Sequence, residues 1–555
     1  MVTPQMSKKI GTIGLTPTQN AKRLFQAVYY AQNPSKESDA EGPKLNVSEI
    51  VSKMAFYYEK IRNTVEYKEE HLLRKNAIER ILWRQIVIES SLADRSKGDG
   101  IAEHLLTELI RATYLPNNTI LKSKCHEIGA IINKYLKLRK YALEDFNYLQ
   151  IKEKNELTRW VIAIAASEIE EQLGRNQVDK VVIDYMYQVL LENIKLPDDT
   201  KFEDDKEVQI YIGIHRSYLK FDKDMLGYIL LKFFHPNWQK AGADDSIVAE
   251  LGKQLLKLKE EIEEQVEHPL AGQLNRIIAR YTVFFSILCD VVADNPVKVY
   301  ESFVKDPKAF SRLIKRSAEK RYSKAKSKLW RAAVHSILYI FITKSFLAFL
   351  LEIPATRWFG EEINAISLFI NITFPAILLF LIVLFTRMPS SGNTEKIVEG
   401  IEEIVFIERE RKDPFRLRIP SKRSAFMNTM FGIIYAVTSI SSFGFIIWAL
   451  DKINFSFVSI IIFLFFLALI SFFSIRIRKS NRELLILPPR DTALGLLGDF
   501  FYVPIIQTGK WLSENFSKIN VFVFVLDFII EAPFKVFVAI TEEWTKYVRE
   551  RKDEI

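Results

Sequence analysis

Four apolar runs stand out along the chain, residues 332–351, 363–385, 425–450 and 455–475, and none of them contains an Asp or Glu. As helices they are long enough to cross the ~30 Å hydrocarbon core of a bilayer. The pattern predicts a four-helix transmembrane region of two hairpins over residues 332–475.

Elsewhere apolar positions recur every three or four residues, the spacing of amphipathic helices. Ile78, Ile81, Leu82 and Ile86 share one face, in a region that Asn46 and Glu49 open in the manner of a capping box. Residues 94–100 read as a loop. Ala102, Leu105, Leu106 and Leu109 precede the stop at Pro116, Ile162, Ala166, Ile169 and Leu173 precede Gly174, and Val178, Val182, Tyr185 and Val189 precede Pro197. Further helices are expected over 224–234, 246–266 and 270–293. Val208, Ile210, Ile212 and Ile214 alternate like a strand, but an isolated strand has nothing to pair with, and Tyr211, His215 and Tyr218 fit a helix, so helix is expected there.

The predicted class is all-α, divided by composition. Residues 1–46 form a flexible N-terminal segment with one short helix over 18–31 and a polar linker over 33–44. Residues 47–304 form an irregular all-helical cytoplasmic domain, 305–331 a basic juxtamembrane helix, and 332–475 the four transmembrane helices, with a cytoplasmic loop at 387–424. Residues 476–555 are expected to be C-terminal amphipathic helices, lying in the interface or on the cytoplasmic domain. A fifth span over 521–540 is disfavoured. Its roughly 14 strongly apolar residues gain about 0.3–0.6 kcal/mol each, which Asp527, Glu531 and Lys535 offset at roughly 2.5–3.5 each near a bilayer centre.

Charge sets the expected orientation. Between residues 305 and 331 there are eleven Lys or Arg against two acids, and bases also crowd the 387–424 segment and the exit at Arg476, Arg478, Lys479 and Arg482. Cytoplasmic flanks carry such excesses. The link between the first two runs holds Glu352, Glu361 and Glu362 against Arg357 alone, and reads as an outer turn. The expectation is a multi-pass protein of the cell (plasma) membrane with both termini cytoplasmic. The first thirty residues lack the apolar core of a signal peptide, so the first span is expected to serve as the insertion signal. The net charge of +9 is matched by the 305–331 cluster alone, which favours anionic lipid headgroups over nucleic acid as the electrostatic partner. Lys315, Arg316, Lys320, Arg321, Lys324 and Lys328 are the candidate lipid contacts.

No glycine-rich phosphate loop, dinucleotide fingerprint, paired-Cys zinc site or HExxH helix occurs, and no cofactor or metal is implied. Residues 94–100 lack the ligand spacing of an EF-hand. Cys125 and His126 are adjacent, and neighbours on a helix point to different faces, which argues against a nucleophile and its base. Lys344, however, lies near the middle of the first span, at a depth matched by Asn371, Thr438 and Ser439 in the second and third, and the four form a candidate intramembrane polar layer. The expected function is a non-enzymatic scaffold or assembly role, with a cytoplasmic helical domain presented to a protein partner. The alternative is a channel or carrier for a small solute or ion, built around Lys344.

Overall fold

The computed structural model describes residues 17–33, 42–47, 69–88, 98–146, 148–174, 176–196, 202–362, 364–386, 388–406, 414–418, 424–486 and 493–518, with isolated positions over 52–60 and 540–552. Glu49 of the expected capping pair and the whole of 521–539 lie outside these residues. The described chain is helical almost throughout. It separates into two compact units, one of Gln19–Thr282 with Arg409–Ile419 and Val521–Ile555, the other of Met1–Thr18, Val283–Glu408 and Pro420–Asn520. The division falls at residue 282, inside a helix, rather than at 304 as composition suggests.

The first unit holds α1 (Gln19–Gln32), α2 (Glu70–Trp83) with a π-helical turn Arg84–Ile88, α3 (Gly98–Arg111), α4 (Ser123–Asp145), α5 (Ile151–Leu173), α6 (Gln177–Asn193), α7 (Asp205–Ser217), α8 (Lys223–Phe234), α9 (Ser246–Lys253), α10 (Leu255–Val266) and the start of α11 (Ala271–Asp294). The alternating segment Val208 to Ile214 is helix α7, and the helix expected over 246–266 is broken at Gln254 into α9 and α10. Gly98 to Gly100, expected in a loop, form the first turn of α3, where a Cβ on Gly129 of α4 would collide with Asp99.

The N-terminal helix is part of this core rather than a flexible appendage. Ala21, Leu24, Phe25 and Val28 of α1 are buried, and α1 packs on α6. Leu45 and Val47 are buried too, and Lys44 pairs with Leu121 in an antiparallel bridge. At the centre lies α5, opened by a capping box between Gln150 and Glu153. Its Leu157, Val161, Ile164 and Ala165 join one apolar cluster with Leu226, Leu230 and Trp238, and its Ile162, Ala166 and Ile169 join a second with Ile78, Leu105 and Leu109. Burying each Leu or Ile contributes roughly 1.5–3 kcal/mol.

Buried charges here are matched. Lys134 Nζ donates to Glu168 Oε1 at 2.8 Å and to the Trp238 carbonyl at 3.1 Å, while Tyr135 Oη and Trp238 Nε1 donate to Glu168 Oε2 at 2.7 and 3.1 Å. The two-residue strands Ile194–Lys195 and Phe415–Arg416 pair in parallel.

The second unit carries α12 (Pro296–Lys305), α13 (Pro307–Leu347), a π-helical turn Ala348–Glu352, α14 (Ile353–Trp358), α15 (Ala365–Leu384), α16 (Ser391–Phe406), α17 (Ala425–Asp451), α18 (Phe457–Arg482) and α19 (Ala493–Lys518). Four of its helical stretches, Lys308–Trp358, Ala365–Leu384, Ala425–Asp451 and Phe457–Arg478, are long and apolar enough to cross a membrane. Basic flank and first apolar run belong to one unbroken helix, α13, started by Pro307 behind an N-cap at Asp306 whose carboxylate accepts from Lys308 N.

Two expectations change in this unit. Residues 387–424 are not a plain loop, because Ile397, Ile401, Ile404 and Val405 of α16 are buried, α16 packs on α13, and Glu402 accepts a hydrogen bond from Ser311. Helix α19, expected in the interface or on the cytoplasmic domain, instead runs antiparallel along α18 and touches α17. Ile505 is buried in a cluster with Phe463 and Leu467, and Ser442 of α17 donates to the Phe501 carbonyl at 3.0 Å, one turn before Pro504. Gly509 makes the approach possible, since a Cβ there would strike the Ala468 carbonyl oxygen.

Candidate functional site

The site grows out of α13. Along this helix Phe310, Ile314, Ala318, Ala325, Leu329, Ala333 and Lys344 are buried on one stripe, facing neighbours that include α15, α16 and α18. Lys344 therefore points inward by helical phase, and it is 0 % exposed. Its Nζ lies 3.9 Å from the centre of the Phe466 ring on α18 and has no hydrogen-bond partner among the described residues. A cation over an aromatic face is attracted by the ring quadrupole. Outward snorkelling is thus not what Lys344 does.

Two turns further on, about 12 Å along the axis, comes Glu352. Pro354 lacks an amide hydrogen and crowds the carbonyl four residues back, and the helix accommodates it with the π turn Ala348–Glu352 and continues to Trp358. Glu352 is consequently not a turn residue as the sequence suggests, but is 2 % exposed inside the bundle. Its Oε1 accepts from Asn371 Nδ2 of α15 at 2.5 Å and from Ser459 Oγ of α18 at 2.8 Å, and Asn371 Nδ2 also reaches the Ser459 carbonyl at 3.3 Å. Glu352 Oε2 and Asn371 Oδ1 have no hydrogen-bond partner among the described residues.

A cavity of about 10 Å³ adjoins Glu352, lined also by Thr356, Glu362, Asn364, Ser367, Ser456 and Ser459. That is about the space of one water molecule. It lies at the end of the bundle where the α14–α15 and α17–α18 turns meet, with Ser367 Oγ donating to the Asn454 carbonyl and Glu361 accepting from Phe457 N.

No family model, curated protein or solved structure matches this chain. The site therefore rests on its own geometry.

Of the four residues expected in one polar layer, Lys344 and Asn371 face the interior, and Asn371 is hydrogen-bonded to Glu352. Thr438 is buried on the face of α17 that carries Ser442 and meets α19, where its hydroxyl donates to the Ile434 and Tyr435 carbonyls, and Ser439 is half-buried beside it. The four share depth but not a common face. The residues that replace them are Glu352 and Ser459. The signal for Glu352 was its position at i+8 from Lys344, with Ala348 between them at i+4 on the same face.

The basic part of α13 keeps Lys315, Arg316, Lys320, Lys324 and Lys328 exposed. Arg321 is committed elsewhere: its guanidinium pairs with Asp290 and donates to the Ser286 carbonyl at 2.9 Å, so it drops out of the candidate lipid contacts. Lys320 lies 3.9 Å from Asp294 while remaining exposed.

In the first unit burial is the leading cause of the shifts at His215, Tyr211 and Cys125. His215 is held down to about 4 by desolvation, with its Nδ1 donating to the Tyr211 carbonyl at 2.8 Å, and burial together with Glu171 and Asp184 pushes Tyr211 up to about 12. Burial also raises the Cys125 thiol, while His126 is exposed and pairs with Asp99 at 3.1 Å, so the adjacent pair has neither a low thiol pKa nor a shared hydrogen bond.

Proposed function

We propose that this chain is a multi-pass membrane protein whose four apolar helices hold a helical domain at the cytoplasmic face, in a non-enzymatic scaffold or assembly role. The observation that carries the reading is how polarity is sorted in the bundle. Leu338, Ile342, Phe346, Phe369 and Ile440 are exposed, while Lys344, Glu352, Asn371 and Ser459 are buried. An apolar exterior around a few buried polar side chains, of which Glu352, Asn371 and Ser459 hydrogen-bond helix to helix, suits an anchor in lipid. The first unit has its large apolar clusters inside, with its buried Lys134 and Glu168 paired. The Lys and Arg asymmetry supports cytoplasmic termini and a cytoplasmic 387–424 segment, in the plasma membrane, with Lys315, Arg316, Lys320, Lys324 and Lys328 at anionic headgroups. The remaining partner is a protein on the cytoplasmic face.

The second reading is a carrier or channel, favoured by the unpartnered Lys344 Nζ, Glu352 Oε2 and Asn371 Oδ1. Flux separates the two. Full-length protein reconstituted in liposomes should leave them as tight to protons, monovalent ions and small solutes as protein-free vesicles. A saturable flux, lost in Lys344→Leu while insertion is kept, would replace the scaffold with the carrier.

A further inference from the structure

A buried carboxylate normally has its oxygens hydrogen-bonded or paired with a cation. Glu352 has one oxygen doubly satisfied and the other bare, and the amide that binds the first oxygen is itself left with a bare carbonyl. These two orphans are related by chemistry. A carboxylic acid and a carboxamide close a ring of two hydrogen bonds, N–H to carbonyl oxygen and O–H to amide oxygen. One half is present, Asn371 Nδ2 to Glu352 Oε1 at 2.5 Å. A single proton on Glu352 Oε2, donated to Asn371 Oδ1, would supply the other half and satisfy both orphans at once.

We infer that Glu352 is a proton-binding site, held as a neutral acid–amide pair with Asn371 and loaded through the water-sized cavity between Ser367 and Ser459. Loading is a simple transfer in which hydronium in that cavity gives its proton to the Glu352 carboxylate and leaves as water. The cavity wall is made of hydroxyl, amide and carboxylate groups from Thr356, Ser456, Asn364 and Glu362, which can hydrogen-bond the carrier water. The charged groups around Glu352 are few. Lys344 faces it from α13, Glu361 and Glu362 stand on the α14–α15 turn, and Asp451 and Lys452 on the α17–α18 turn are exposed. Helix α15 bears no titratable residue, and the bases of α18 begin at Arg476, at its other end.

Lys344 does not make the hydrogen bond that would fix an ionised Glu352, since its Nζ rests on Phe466 instead. Proton uptake at Glu352 is separate from a scaffold role and needs no passage across the membrane, because the polar lining of the cavity ends at Glu352.

Infrared spectroscopy of the full-length protein in nanodiscs tests it. A protonated carboxyl band should be present at neutral pH, shift in D₂O, and vanish in Glu352→Gln. Because Gln can form the same two-bonded ring with Asn371, that variant should melt at the wild-type temperature. Ser367→Leu, which fills the cavity, should slow deuterium exchange of the band. Absence of the band at neutral pH, or a marked loss of thermal stability in Glu352→Gln, would mean an ionised Glu352 and overturn the inference. Unchanged exchange in Ser367→Leu would overturn the proposed route.

Discussion

Replacing Lys344 by Leu is the most direct perturbation of the bundle. Near the centre of a span Lys costs roughly 2.5–3.5 kcal/mol and Leu gains a few tenths, a difference of about 3 kcal/mol or more. Against this stands the contact of Nζ with Phe466 at 3.9 Å, worth up to about 2 kcal/mol when desolvated. No hydrogen bond of Nζ is lost, because none is made among the described residues. The net expectation is a gain of about 1–2 kcal/mol, which for a unit of this size raises the melting temperature by roughly 2–8 °C. The assay is thermal unfolding in nanodiscs, followed by Trp fluorescence, at neutral pH. This gain is expected only where Glu352 does not depend on Lys344 to balance a charge. Were the two a true buried ion pair, the same change would strand a carboxylate at a cost of about 3–5 kcal/mol. A melting temperature that falls by several degrees would therefore refute both the balance and the neutral state of Glu352.

Four further outcomes are expected. His215 is neutral when folded, with its pKa lowered to about 4, so its contribution is complete above its ordinary value near 6.5 and is lost as pH falls from there toward 4, in total about 3 kcal/mol. Unfolding of wild type against His215→Phe across this range should reveal that difference. Glu168→Leu strands Lys134 and should cost about 3–5 kcal/mol in denaturant unfolding, and adding Lys134→Met should recover much of it. Changing Lys315, Arg316, Lys320 and Lys324 to Gln removes roughly 1 kcal/mol of surface attraction per base, so less anionic lipid should co-purify, whereas Arg321→Gln should have its effect on stability instead. A C-terminal tag should be protected in intact cells and exposed in inside-out vesicles, and the reverse would discard the proposed orientation.

The apolar runs and the 3.6-residue periodicity made the all-α class and the four long apolar helices legible, because both follow from local composition. What escaped depended on geometry that a linear pattern does not carry. A carboxylate that ends an apolar run reads as a turn residue, yet the helix passes through Glu352 on a π turn set by Pro354. Thr438 and Ser439 match Lys344 in depth but not in azimuth, and depth is all that counting residues supplies. For α19, expected as an amphipathic helix, Asp499, Lys510 and Glu514 obscure the packing on α18 that the small Gly509 allows against Ala468. Arg321 looked like its neighbours until folding placed Asp290 beside it.

The unbroken run of α13 has a mechanical meaning. From Phe310, set against Phe406 of α16, to Lys344, set on Phe466 of α18, the helix extends about 51 Å without a joint. Such a rod is stiff in torsion, so the two ends share one rotational phase: a twist applied at Phe310 arrives at Lys344 as the same twist. It also makes the connecting stretch intolerant of length changes by one residue, each of which would turn one end by about 100° against the other. Insertions of seven, which turn it by only about 20°, would lengthen the shaft and keep Lys344 facing inward.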